Sequence, residues 1–81
     1  MGGEFPPLNV SQVETILKNA GFTDKNTVGS HTQWEGYFGG QRRIVTVDCH
    51  GSKKTQFSHD IMKNMISQSR MNKQQFYSHL K

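Results

Sequence analysis

The chain has 81 residues, room for one domain and not for two, and a domain of that size buries only about 60% of the surface its unfolded form exposes. Ten Lys and Arg against six acids give a formal charge of +4 before the four histidines are counted, a balance that suits a polyanionic partner through counterion release and equally serves ordinary solubility. The single Cys49 excludes an internal disulfide, and no stretch approaches the roughly 20 apolar residues that span a bilayer.

Met1 to Leu8, with Gly2, Gly3, Pro6 and Pro7, reads as an irregular lead-in. It has no basic run followed by an apolar one, so a signal peptide is not expected and a cytoplasmic protein is. A helix is predicted over 11–20. Ser11 and Glu14 have capping-box spacing, and Val13, Ile16, Leu17 and Ala20 form one apolar stripe. Gly21 suits the left-handed position that closes a helix, with Phe22 packing back on the last turn and Val10 expected to staple against the same end.

Residues 23–28 are polar and fit at most a short edge strand. Residues 30–38 are rich in aromatic and hydroxyl side chains, Gly39-Gly40 supplies turn positions, and 42–48 alternate as a strand should. A hairpin pairing 30–38 with 42–48 follows. After the basic loop His50-Gly51-Ser52-Lys53-Lys54, Ser58 caps a second helix that buries Ile61, Met62, Met65 and Ile66, a stripe fading by Ser69. Asn72 with Gln75 caps a last short helix on which Phe76 and Leu80 share a face. The expected architecture is α+β, a single domain over 1–81 with an antiparallel sheet covered by helices on one face and open on the other.

The chemistry is sparse. His31, His50, His59 and His79 do not fall at zinc spacing and one cysteine cannot complete a Cys/His site, so no metal is expected. No nucleophile motif surrounds a Ser or Cys, and the glycines form neither a P-loop nor a dinucleotide fingerprint; no small-molecule cofactor is implied. Asp48 and Glu35 are not an evident acid–base pair. Arg42, Arg43, Lys53 and Lys54 flank the second hairpin strand and, with His31, can bracket one surface. Trp34, Tyr37 and Phe38 offer π-faces for unpaired bases. Alternation sends Trp34 and Tyr37 to opposite faces, so at least one of them belongs to the core.

The string Gly29-Ser30-His31, one strand after a helix ending Ala20-Gly21-Phe22, resembles the HicA toxin family. Phe5-Pro6-Pro7-Leu8 is similar to the family's opening, and Arg43-Ile44-Val45-Thr46-Val47 followed by Asp48, His50 and Gly51 to its second hairpin strand. The stretch from Ile61 to Ser69 is similar to its second helix, and Phe76 to its terminal aromatic. Gly-Ser-His alone is a weak motif; its order and spacing with the other blocks, over roughly Phe5 to Phe76, make the match more specific. The resemblance implies a fold like a double-stranded-RNA-binding domain, α-β-β-β-α, with the third strand near 23–28 and a short extra C-terminal helix. It further implies an endoribonuclease acting on messenger RNA, a HicB-type antitoxin as partner, and His31 as the catalytic histidine. Two departures stand out: 23–27 lack the apolar residue usual in that first strand, and Arg70 replaces the glycine expected after the second helix.

A mechanism can be argued without a metal, because RNA carries its own nucleophile in the 2′-OH. What it needs is a base for that proton and cations for the charge developing on phosphorus. Histidine, with an ordinary pKa of about 6.5, suits the first task as base, or as acid on the leaving oxygen. Ser30, Arg42, Arg43, Lys53 and Lys54 are the expected RNA contacts. The alternative is a non-catalytic RNA-binding module of the same fold. A structural subunit that never meets RNA is a third reading.

Overall fold

A computed structural model describes residues 7–48 and 56–80. The element order is α1 (Val10–Asn19), β1 (Thr23–Val28), β2 (His31–Phe38), β3 (Gln41–Asp48), α2 (His59–Ser69) and α3 (Lys73–Ser78). The strands form one antiparallel sheet in the order β1-β2-β3, giving the expected α-β-β-β-α arrangement with a short last helix.

α1 starts earlier than the Ser11–Glu14 pattern predicts. Asn9 is the cap: its Oδ1 accepts from the Gln12 N–H at 2.8 Å, and the Gln12 Oε1 accepts from the Asn9 N–H at 2.9 Å. This reciprocal pair satisfies two otherwise orphaned donors, and the earlier start brings Val10 into the helix. Val10 then joins Val13, Ile16 and Leu17 on the buried stripe, apolar area that a start at Ser11 would leave outside the helix. The helix closes as expected, Gly21 taking a φ of 92°. The Phe22 N–H donates to the Leu17 carbonyl at 2.8 Å and the Gly21 N–H to that of Lys18 at 3.0 Å, both bonds of a Schellman motif. Residues 1–6 of the expected lead-in lie outside the described residues; its last residue is pinned, because the Phe57 N–H donates to the Leu8 carbonyl at 2.9 Å, Asn9 bridges Gln56, and Leu8 and Phe57 are both buried.

Ser58 caps α2 by accepting from the Ile61 N–H. Met62, Met65 and Ile66 are buried as expected, whereas Ile61 is only partly covered. Ser69, where the apolar stripe runs out, is nonetheless fully buried: its Oγ donates to the Ile66 carbonyl at 2.7 Å and accepts from the Met71 N–H at 3.2 Å. The hydroxyl thus satisfies backbone groups released where the helix stops. The missing glycine does not prevent that stop, because Arg70 itself takes the left-handed conformation, with φ 69°. Asn72 and Gln75 form the expected capping box of α3; Phe76 is buried and Leu80 packs against the core.

The core lies between the helices and one face of the sheet. Thr32, Trp34 and Gly36 of β2 and Val45 and Val47 of β3 point into it, and the Phe22 ring lies across Gly36. Every residue of β1 is exposed, so the helices do not reach under this strand. With no buried apolar residue, β1 holds by pairing with β2, interrupted by a bulge at Lys25 and supplemented by a Thr27–Thr32 hydroxyl contact at 3.2 Å. A bulge and a lysine on an edge strand also discourage pairing with another chain.

Candidate functional site

The site builds from two tight turns. Val28 and His31 pair across Gly29-Ser30, with Gly29 at a φ of 61°, the positive first position of a type II′ turn. This places Ser30 at the hairpin tip and His31 as the first residue of β2. At the other end Phe38 and Gln41 pair across Gly39-Gly40, whose φ values of 66° and 80° meet the type I′ requirement. A two-residue turn fixes the register of everything before it, and the pairing runs unbroken from Phe38↔Gln41 to His31↔Asp48.

That register decides which side chains share the face away from the helices. In rows across the strands it carries Val28, His31 and Asp48; then Asn26, Gln33 and Thr46; then Thr23, Glu35 and Ile44; and last Tyr37 and Arg42. In the first row the His31 Nε2 lies 3.6 Å from a carboxylate oxygen of Asp48. The His31 side chain is 56% exposed while that of Asp48 is half as accessible. A histidine open to solvent, with a carboxylate against one ring nitrogen, has the other nitrogen available for proton transfer.

Arg42 and Arg43 do not join His31. Arg42 is on the same face at the far end of the sheet, six residues along β2 by register and therefore roughly 20 Å away at about 3.3 Å per residue. It pairs there with Glu35, whose other carboxylate oxygen lies 3.6 Å from Lys25 Nζ. Arg43 faces the opposite way, beside the core, and its Nε donates to the Phe38 carbonyl at 3.2 Å. The idea that both arginines bracket one surface with His31 therefore fails by strand alternation. Lys53 and Lys54, with His50 and Cys49, lie outside the described residues; Asp48 is the last residue described before that segment.

The aromatics divide the same way. Trp34 is buried and Phe38 packs against the core, leaving only Tyr37, 71% exposed, on the open face. His59 and His79 belong to the helical layer, His59 beside Asp60 and His79 at the end of α3. Among the described residues no three His, Cys, Asp or Glu side chains converge on a common point, and no helix is long and apolar enough to cross a membrane. Asp48 is the residue that pattern reading missed. Counting back from Gly39-Gly40 finds it, since a two-residue turn there sets 38 opposite 41 and hence 31 opposite 48.

No protein-family model matches the chain, and no curated protein matches it.

Proposed function

We propose that the chain is a metal-independent endoribonuclease of the HicA toxin type, cleaving single-stranded messenger RNA through His31 and neutralised by a HicB-type antitoxin. The observation that carries this reading is the His31–Asp48 pair, solvent-open at the tip of the β1–β2 hairpin, on the sheet face that the helices leave bare. It coincides with the Gly29-Ser30-His31 string on which the resemblance rests.

The reaction follows from the groups present. The His31 nitrogen not turned to Asp48 takes the proton of a 2′-OH; the 2′ oxygen then bonds to the adjacent phosphorus and the bond to the 5′ oxygen breaks. The leaving oxygen takes a proton from water, the hydroxide so formed takes the proton held by His31 and so restores the base, and the products are a 2′,3′-cyclic phosphate and a 5′-hydroxyl. Asp48 stabilises the imidazolium formed in this step. Ser30, next to His31 on the turn, together with Lys53 and Lys54 beyond Asp48, is assigned to the phosphate undergoing attack. An antitoxin with an acidic surface would cover His31 and these cations, as charge complementarity requires.

The test is incubation of long single-stranded RNA with the protein in EDTA, beside His31→Ala of matched melting temperature. General-base catalysis contributes about 10²–10⁴-fold, so the variant should lose at least about a hundredfold in rate. The wild-type products should carry cyclic phosphate ends. Cleavage that survives His31→Ala, or that EDTA abolishes, refutes the assignment. RNA retarded in a gel but left intact would instead identify a non-catalytic binding module of the same fold.

A further inference from the structure

Among the described residues, the large hydrophobic side chains left exposed are Val28, at 69%, and Tyr37, at 71%. Both lie on the open sheet face, Val28 in the row of His31 and Tyr37 in the last row, at the far end. Between them run two rows: a neutral hydrogen-bonding row of Asn26, Gln33 and Thr46, then a row of Thr23, Glu35 and Ile44 whose carboxylate is paired with Lys25 and Arg42. Tyr37 stands directly opposite Arg42, whose guanidinium is held on this face by Glu35 through Nε. That contact leaves the rest of the guanidinium fork for a phosphate.

We propose that Tyr37 and Arg42 form a second RNA subsite, on which one unpaired base stacks while its phosphate meets the arginine. An exposed aromatic on a sheet surface suits a base freed from pairing, because every base has a π-face and stacking requires it to be splayed out. The amides of Asn26 and Gln33 both donate and accept, so they can engage base edges that a duplex would conceal. The face thus selects single-stranded RNA running along β2. The span of roughly 20 Å from His31 corresponds to about six nucleotides at a stacked rise of 3.4 Å, fewer where bases unstack. The subsite sets where a strand lies relative to His31; it takes no part in proton transfer. It shares with the ribonuclease reading the premise that RNA is the ligand, and it does not require cleavage.

The experiment is fluorescence anisotropy with a short labelled oligonucleotide carrying 2′-O-methyl riboses, which has no nucleophile and cannot be cleaved. Tyr37 is exposed, so its substitution spares the core. Tyr37→Ala should bind the single strand about tenfold more weakly, and Tyr37→Trp about as well as wild type. Arg42→Gln should lower the slope of log affinity against log salt by about one. The same sequence annealed as a duplex should be indifferent to Tyr37→Ala. A single strand bound equally by wild type and Tyr37→Ala, or by neither, overturns the subsite and leaves the face to a protein partner. Cleavage of natural RNA is scored separately. Tyr37-dependent binding without cleavage refutes the ribonuclease and keeps the subsite; cleavage without Tyr37-dependent binding does the reverse.

Discussion

Adding one methyl group to Gly36 should loosen the strand that carries His31. A Cβ built at this position lies 2.6 Å from Phe22 Cγ and 2.7 and 2.9 Å from two further ring carbons. Carbon atoms settle at about 3.5–4.0 Å, so the ring must retreat by roughly 1 Å. It has nowhere to go: Phe22 is 2% exposed, it is tied to the end of α1 through its own N–H, and protein interiors are packed as densely as organic crystals. Overpacking of this kind costs about 1–3 kcal/mol. Alanine recovers about 0.5–1 kcal/mol because it loses less chain entropy than glycine on folding. Three ring contacts under 3.0 Å place Gly36→Ala in the upper half of the overpacking range, so the net expectation is a loss of about 1–2.5 kcal/mol, or roughly 5–20 °C in Tm for a domain of this size. Thermal melts followed by circular dichroism measure it. A second substitution, Phe22→Leu, removes the obstructing ring, so the double variant should lose less than the sum of the two single changes. An unchanged or raised Tm in Gly36→Ala would refute the close packing of Phe22 on β2.

Asp48→Asn should reduce cleavage modestly: an exposed ion pair is worth at most about 1 kcal/mol, so kcat should fall by about fivefold or less, far short of the loss expected for His31→Ala, and single-turnover kinetics will separate the two. Asn9→Ala should destabilise by about 1 kcal/mol and Ser11→Ala by much less in chemical denaturation, because Asn9 provides the cap. Arg70→Gly should raise stability by about 0.5–1 kcal/mol in the same assay, since relief of the side-chain clash at positive φ outweighs the added freedom of the unfolded chain; a loss would show that the arginine side chain supports the helix end. Burial holds the Tyr77 phenol above its ordinary pKa of 10.0. The unfolded chain therefore releases this proton first, and its contribution to stability, complete below pH 10.0, should be lost as pH rises through the higher folded value. Melting in alkaline buffer against Tyr77→Phe, which should lack this component, checks the sign.

Local chemistry determined much of the molecule before any packing was known. The Val13–Ile16–Leu17 stripe, the Gly21 closure, the Asn72–Gln75 box and the Gly39-Gly40 turn act over separations of five residues or fewer, where neighbouring side chains and backbone torsions suffice. The resemblance added β1, which its polar sequence marks only as a possible edge. The Gly39-Gly40 turn also contained the His31↔Asp48 pairing, because register propagates from a two-residue turn without further information. Alternation likewise separates Arg42 from Arg43 within the sequence.

Other features required the tertiary structure. Which of two competing caps begins α1 was settled by the burial of Val10, a gain that exists only once the sheet and the other helices are in place. That Trp34 rather than Tyr37 enters the core follows from which face the helices cover, a matter alternation leaves undecided by symmetry. The same choice put His31, Tyr37 and Arg42 on one solvent-facing surface and Arg43 beside the core. Sequence specified the period of the strands; the helices selected the face, because only one side of the sheet can be removed from water by a layer this small.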